Sequence, residues 1–260
     1  MVAKTALQQM ISAGKLERIL YKYREDGENT ERIFTEHTLW FAHPNEFNDP
    51  FDCYANVQVL DEEGLQKLIK KESCSYFEEQ IYQEGLHKYD VDKLREDVNI
   101  VLNEIGVCCF TKNPSNILMW SHYAHNHKGI CLEFDILEDP DFFMIPLDVN
   151  YVDNMPEYNH FKDRKFLVEK IIQPKYKIWK NEEEVRCIKI SRDIQGNNNS
   201  QAFKFNPKAL KRVIFGCKST EEMIEKYKSL CKDSDLEHVI FTKMFQKNDG
   251  SFELEERSLD

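Results

Sequence analysis

The stretch from Val107 to Asp135, VCCFTKNPSNILMWSHYAHNHKGICLEFD, constrains the fold more than any other. Val107 to Thr111 is short, apolar and β-prone, and Asn113 and Pro114 close it, because proline brings no amide to a sheet ladder. Ser115 is placed to cap a helical turn through Ile117, Leu118, Met119 and Trp120. Lys128 and Gly129 break that turn, after which Ile130, Leu132 and Phe134 alternate with Cys131 and Glu133 as a second strand. Between the strands stand Ser121, His122, Tyr123, His125 and His127, a density of reactive polar side chains that packing alone does not require.

The 260 residues are enough to bury a full core, and 41% hydrophobic with 31% charged residues is a globular composition. We expect a single domain over residues 1–260, with a helical insert at 61–105. There Leu65, Leu68 and Ile69, then Phe77 and Ile81, then Leu94, Val98, Val101 and Leu102 recur at helical spacing. No apolar run approaches the ~20 residues of a membrane helix, and the first residues lack the apolar core of a signal peptide. The expectation is a cytoplasmic protein that engages no membrane. A net charge of −11 argues against a surface that grips nucleic-acid phosphates throughout. The eight cysteines form no C-x-x-C pair and fall largely in apolar stretches, the usage of a reducing compartment. His122, His125 and His127 with a cysteine could make a zinc site, but no ligand spacing commends it, and no metal is expected.

Along the chain, residues 4–20 suit a helix, Ile19 to Arg24 a strand and Thr38 to Ala42 another. The loop His43 to Asp52 carries Phe47 and Phe51 among turn formers, with Asn48 and Asp49 fixing the turn. Ile145 to Val152 reads as extended and Phe161 to Ile172 as helical. The basic cluster from Lys162 to Lys180 is read first as a solvated face and second as an anion site. In a strand starting near Glu182, the side chains of Glu182, Glu184 and Arg186 share one face, and Val185 and Cys187 the other. Arg212 to Gly216 is a buried strand. Ser219 and Glu222 form a capping box for the helix that follows, and His238 to Phe245 is a last strand before a charged tail.

The combination of L-Y-K-Y-R at 20–24, F-N-D-P-F-D at 47–52, C-F-T and M-W-S-H-Y-A at 109–124, K-G-I-C-L-E-F at 128–134, W-x-x-E-x-E-x-R at 179–186 and V-I-F-G-C at 213–217 resembles the bacterial family called domain of unknown function 2971. The likeness runs from about residue 18 to about residue 245, and it carries no activity by name. More distantly, the order of pieces is similar to the ADP-ribosyltransferase fold. That resemblance implies an α+β architecture with a mixed or antiparallel split β-sheet core and an inserted helical lobe. It also implies NAD as substrate, an acceptor that is a protein or nucleic acid, and a toxin or phage-defence role with an antitoxin or regulatory partner.

On that pattern Arg24, with Lys22 competing, contacts the nucleotide alongside Tyr23, Trp120 and His122. Ser121 and Tyr123 take the second position and Glu184 the third, with Glu182 as the outer glutamate. A carboxylate facing the cation that develops on ribose lowers the barrier to breaking the nicotinamide bond. Glu184 would supply it, Ser121 would hold Glu184, Tyr123 would stack on nicotinamide and Glu182 would orient the acceptor. Each residue also has a plainer reading: Glu184 with Arg186 as an ion pair, Tyr123 and Trp120 as core aromatics, Ser121 bonded to backbone, Arg24 on the surface. Two other functions compete: a metal-dependent nuclease or hydrolase using the histidines with Asp49, Glu182 and Glu184, and a non-catalytic module that binds a nucleotide or a protein.

Overall fold

A computed structural model describes residues 2–58, 91–190, 201–232 and 234–259. Contacts divide the chain into two compact units, one of residues 1–42, 106–149 and 178–260, the other of residues 43–105 and 150–177. Of the helical run read at 61–105, residues 61–90 lie outside the described residues, and the rest carries the helix Val91–Leu102.

The first unit is α+β. Its labelled elements are α1 (Val2–Ser12), β1 (Ile19–Arg24), α2 (Glu28–Thr35), β2 (Thr38–Trp40), β3 (Ile105–Thr111), α3 (Ile117–Tyr123), β4 (Ile130–Asp135), α4 (Pro140–Phe143), β5 (Leu147–Asp148), β6 (Glu184–Ile190), β7 (Ala202–Lys204), β8 (Leu210–Phe215), α5 (Glu221–Cys231), β9 (Ile240–Gln246) and β10 (Leu254–Ser258). Eight strands form one sheet in the order β10-β9-β8-β4-β1-β3-β6-β5. The pairs β1/β3, β1/β4, β4/β8, β9/β10 and β5/β6 are antiparallel, and β8/β9 is parallel. β2 and β7 pair antiparallel as a separate ribbon. The strand β10 lies in the tail read from sequence as merely charged: Glu255, Glu256 and Arg257 sit on an edge strand, where charge is tolerated.

The two faces of the sheet differ, and alternation along each strand decides which residue goes where. On one face Leu20, Cys108, Phe110, Leu132, Phe134, Val185, Cys187 and Val213 enter the main core with α1, α2 and α5 residues such as Leu7, Phe34 and Tyr227. On the other, Tyr23, Cys131, Ile214 and Met244 pack under Trp120 and Ala124. The helix α3 therefore lies across this second face, as the strand-helix-strand pattern leads one to expect.

Two capping expectations need correction. Asn116, not Ser115, caps α3, its Oδ1 accepting from the amides of Leu118 and Met119. Thr220, not Ser219, caps α5 through the Met223 amide. The Ser219 hydroxyl instead donates to the carbonyls of Lys128 and Gly129, fastening α5 to the turn after α3. That turn is crowded. A Cβ on Gly129 would stand 2.2 Å from the Arg24 carbonyl oxygen. Gly129→Ala is expected to cost about 1–3 kcal/mol of stability through backbone displacement, read as a lowered denaturant midpoint in tryptophan fluorescence. All three tryptophans, Trp40, Trp120 and Trp179, belong to this unit.

In the second unit Asn56–Gln58 pairs with Glu157–Asn159, and Asn150–Val152 with Pro174–Tyr176, both parallel. The helix read at Phe161 to Ile172 is broken into a short helix His160–Asp163, a 3-10 turn Arg164–Phe166 and a π turn Val168–Ile172. Three lysines of the 162–180 basic cluster form ion pairs: Lys170 with Asp163 at 2.9 Å, Lys175 with buried Asp52 at 3.3 Å, and Lys177 with Asp153. Asp49 does fix its turn, accepting the Phe51 amide at 2.9 Å. Among the described residues no helix is long and apolar enough to cross a membrane.

Candidate active site

The segment entering β6 is fastened to the turn between β3 and α3. Thr111 donates its hydroxyl to the Glu182 carbonyl at 2.6 Å, Asn113 donates to the Glu183 carboxylate at 2.9 Å, and the Asn116 amide reaches the Asn181 carbonyl. Glu183 takes a left-handed φ of 45°, which turns the chain into β6. Two short elements distant in sequence are thereby held side by side, and a cavity of about 250 Å³ opens between them. Leu118, Met119, His122 and Tyr123 of α3 form one wall; Ile178, Trp179 and Glu182 form the other.

At its edge the Tyr123 hydroxyl donates to Glu182 Oε1 at 2.6 Å, the length of a charge-assisted O–H···O⁻ bond. Glu182 is buried. The cavity is otherwise apolar, and no Lys or Arg appears among its described lining residues.

Glu184 opens β6 and is buried inside the fold. Its carboxylate takes the Arg186 Nε at 2.7 Å, and the two side chains are 5% and 0% exposed. Val185 and Cys187 enter the main core as the alternation predicts, with Glu184 and Arg186 on the other side of β6, but Glu182 does not share that strand: it ends a 3-10 segment, Lys177–Glu182, ahead of β6. Burial, and next the nearby Glu184 charge, hold the Cys109 thiol well above its ordinary value, so Cys109 stays protonated rather than nucleophilic.

The other expected residues are dispersed. Ser121 does not hold Glu184; its hydroxyl contacts His127 Nε2 at 3.1 Å. Trp120 is fully buried, meets Tyr23 edge-on at 5.0 Å and donates its indole N–H to the Pro114 carbonyl. Trp120 and Tyr23 are core aromatics, unavailable to a ligand. Arg24 and Lys22 project from β1 on the face opposite Tyr23 and α3, so neither lines the Tyr123–Glu182 cavity. Of the expected set, Tyr123, His122 and Glu182 come together. Asn116, Asn181, Ile178 and Trp179 join them.

His125, Asn126 and His127 are consecutive left-handed residues with φ of 46°, 56° and 69°, a conformation that costs non-glycine residues roughly 1–2 kcal/mol each. Hydrogen bonds from Asn126 to Ser121, His127 to Trp120 and Gly129 to Ala124 hold the turn. Burial, with Lys218 adding, lowers the His127 pKa below its ordinary 6.5. The unfolded chain then binds the proton more readily, so stability is full above about pH 6.5 and falls as pH drops through that value and toward the folded pKa. Thermal unfolding of His127→Gln should lose this component of the acid dependence below about pH 6.5. A parallel pH profile in both proteins would refute it.

Residues 119–187 match the model of a family described as Protein of unknown function (DUF2971). This stretch belongs to that family. It runs from within α3 to the middle of β6 and so holds the cavity's lining from Met119 to Glu182, without Asn116 and Leu118, together with Glu184 and Arg186. No curated protein and no solved structure gives a match.

Proposed function

We propose that the protein is an NAD-consuming, ADP-ribosyltransferase-like enzyme, releasing nicotinamide by transfer or hydrolysis, and that the cavity beside α3 receives the nicotinamide riboside end of NAD. The observation that carries this is the Tyr123–Glu182 hydrogen bond of 2.6 Å at the edge of an aromatic and aliphatic pocket. About 250 Å³ suits a nicotinamide ring with part of a ribose and is too small for a dinucleotide. A carboxylate beside Tyr123 and Trp179 favours a flat cationic ring, which the nicotinamide of NAD is, through charge and through the ring faces. With no Lys or Arg among the described lining residues, the diphosphate lies outside this pocket.

NAD supplies a C–N glycosidic bond whose cleavage builds positive charge on the ribose. The Tyr123 hydroxyl holds the Glu182 side chain at that edge, so a carboxylate there needs no reorientation as charge develops. Glu182 lines this cavity and Glu184 is not among its described lining residues, so Glu182 takes the role that the resemblance assigned to Glu184. A split-sheet core of the ADP-ribosyltransferase kind belongs to the same proposal, as do a protein or nucleic-acid acceptor, an antitoxin or regulatory partner and a toxin or phage-defence role. The metal-dependent alternative finds, among the described residues, no group of three or more His, Cys, Asp or Glu set to hold an ion.

The test is incubation of the purified protein with NAD, alone and with protein, RNA and DNA acceptors, following free nicotinamide. Release above a heat-inactivated control is expected. Its absence under every condition overturns the proposal.

A further inference from the structure

On the face of the sheet away from α3, a second cavity of about 430 Å³ lies among β1, α2 and β2. Lys22 and Arg24 enter it from β1, Asn29 and Arg32 from α2, and Trp40 from β2. We infer that this cavity is a separate binding site for a nucleoside diphosphate, with Lys22 and Arg24 holding the phosphates and Trp40 stacking on the base.

Lys22 and Arg24 are two residues apart on one strand, so their side chains leave the same face about 7 Å apart and can straddle a diphosphate. Lys22 donates to the Cys109 carbonyl at 2.8 Å and Arg24 to the Thr30 hydroxyl at 3.3 Å. Each uses one donor of the three or five it possesses. Among the described residues neither forms an ion pair, whereas Arg32 is shared between Glu28 and Glu36. Two cations left without carboxylates beside a cavity are notable in a chain of net charge −11, and such a cavity concentrates anions.

The opposite wall is apolar. Ile33 and Leu39 are buried behind it, while Trp40 is 51% exposed, an indole that the fold leaves open to solvent. An exposed tryptophan beside paired cations is what base stacking with phosphate capture requires. Glu36 at the rim is an acceptor for a ribose hydroxyl or a base amino group. The site stands whether or not the cavity beside α3 turns over NAD, since the two share no residue.

The test is calorimetric titration of the intact protein with ADP, inorganic pyrophosphate and adenosine, alongside tryptophan fluorescence. ADP is expected to bind more tightly than either fragment, to weaken as salt rises and to change the fluorescence. Arg24→Gln and Lys22→Met should each weaken ADP at least about tenfold, the scale of one charge-assisted contact. Trp40→Ala, at an exposed position, should weaken ADP while leaving pyrophosphate binding intact. No ADP binding up to millimolar concentration overturns the inference, as does binding that survives both Arg24→Gln and Trp40→Ala. So does binding lost in Glu182→Gln but not in Arg24→Gln, which would assign it to the other cavity.

Discussion

Glu182→Gln is expected to lower the turnover of nicotinamide release by about 100- to 1,000-fold, the usual cost of removing one preorganised electrostatic group. The substitution preserves shape, and the amide oxygen still accepts the Tyr123 hydroxyl, so the melting temperature should hold within a few degrees. What disappears is the negative charge facing the developing cation, an interaction stronger in the transition state than in the ground state. The loss therefore belongs in kcat more than in KM. Glu184→Gln is the informative partner, because that carboxylate is already neutralised by a guanidinium at 2.7 Å. It should act mainly on stability. Full activity in Glu182→Gln, with activity lost in a normally stable Glu184→Gln, would return the acid to Glu184.

The difference between these two glutamates marks what the sequence could and could not convey. Alternation puts Glu184 and Arg186 on one side of a strand and Val185 and Cys187 on the other, and the core bears out the latter pair. It could not reveal that the strand begins only at Glu184, after a left-handed Glu183, so that Glu182 stands in the entering turn and faces the α3 cavity. The strand-turn-helix-strand reading of 107–135 was equally legible, because proline, glycine and periodicity all act locally. Side-chain partners across distant segments were not. Ser121 meets His127 rather than Glu184 because three left-handed residues fold the turn back on the helix, a conformation with no glycine to announce it. Arg24 was grouped with α3 by analogy of order, yet counting alternation from core residue Leu20 would have put Lys22 and Arg24 on the face opposite Tyr21 and Tyr23. The charge of β10 hides a strand from sequence patterning, because an edge position admits charged residues and Glu256 is met across the sheet by Arg212.

Arg186→Met is expected to destabilise the first unit by about 3–5 kcal/mol, because it leaves the Glu184 carboxylate buried without the guanidinium that balances it. For a chain of this size that is a fall of roughly 6–20 °C in melting temperature. Tryptophan fluorescence is the signal to follow, since its three reporters all lie in the first unit. The sign of the pair's own contribution is a different question. Desolvating two charges costs about what their attraction returns, so replacing both with apolar side chains of similar size often restores stability. Glu184→Met combined with Arg186→Met should recover most of what the single change loses, with a coupling of about 2 kcal/mol or more in the double-mutant cycle. If Arg186→Met alone unfolds within about 1 kcal/mol of the parent, the pair is not shielded from solvent. Glu184 would then be available to a bound ribose rather than held by Arg186, and the division of labour between the two glutamates would fail with it.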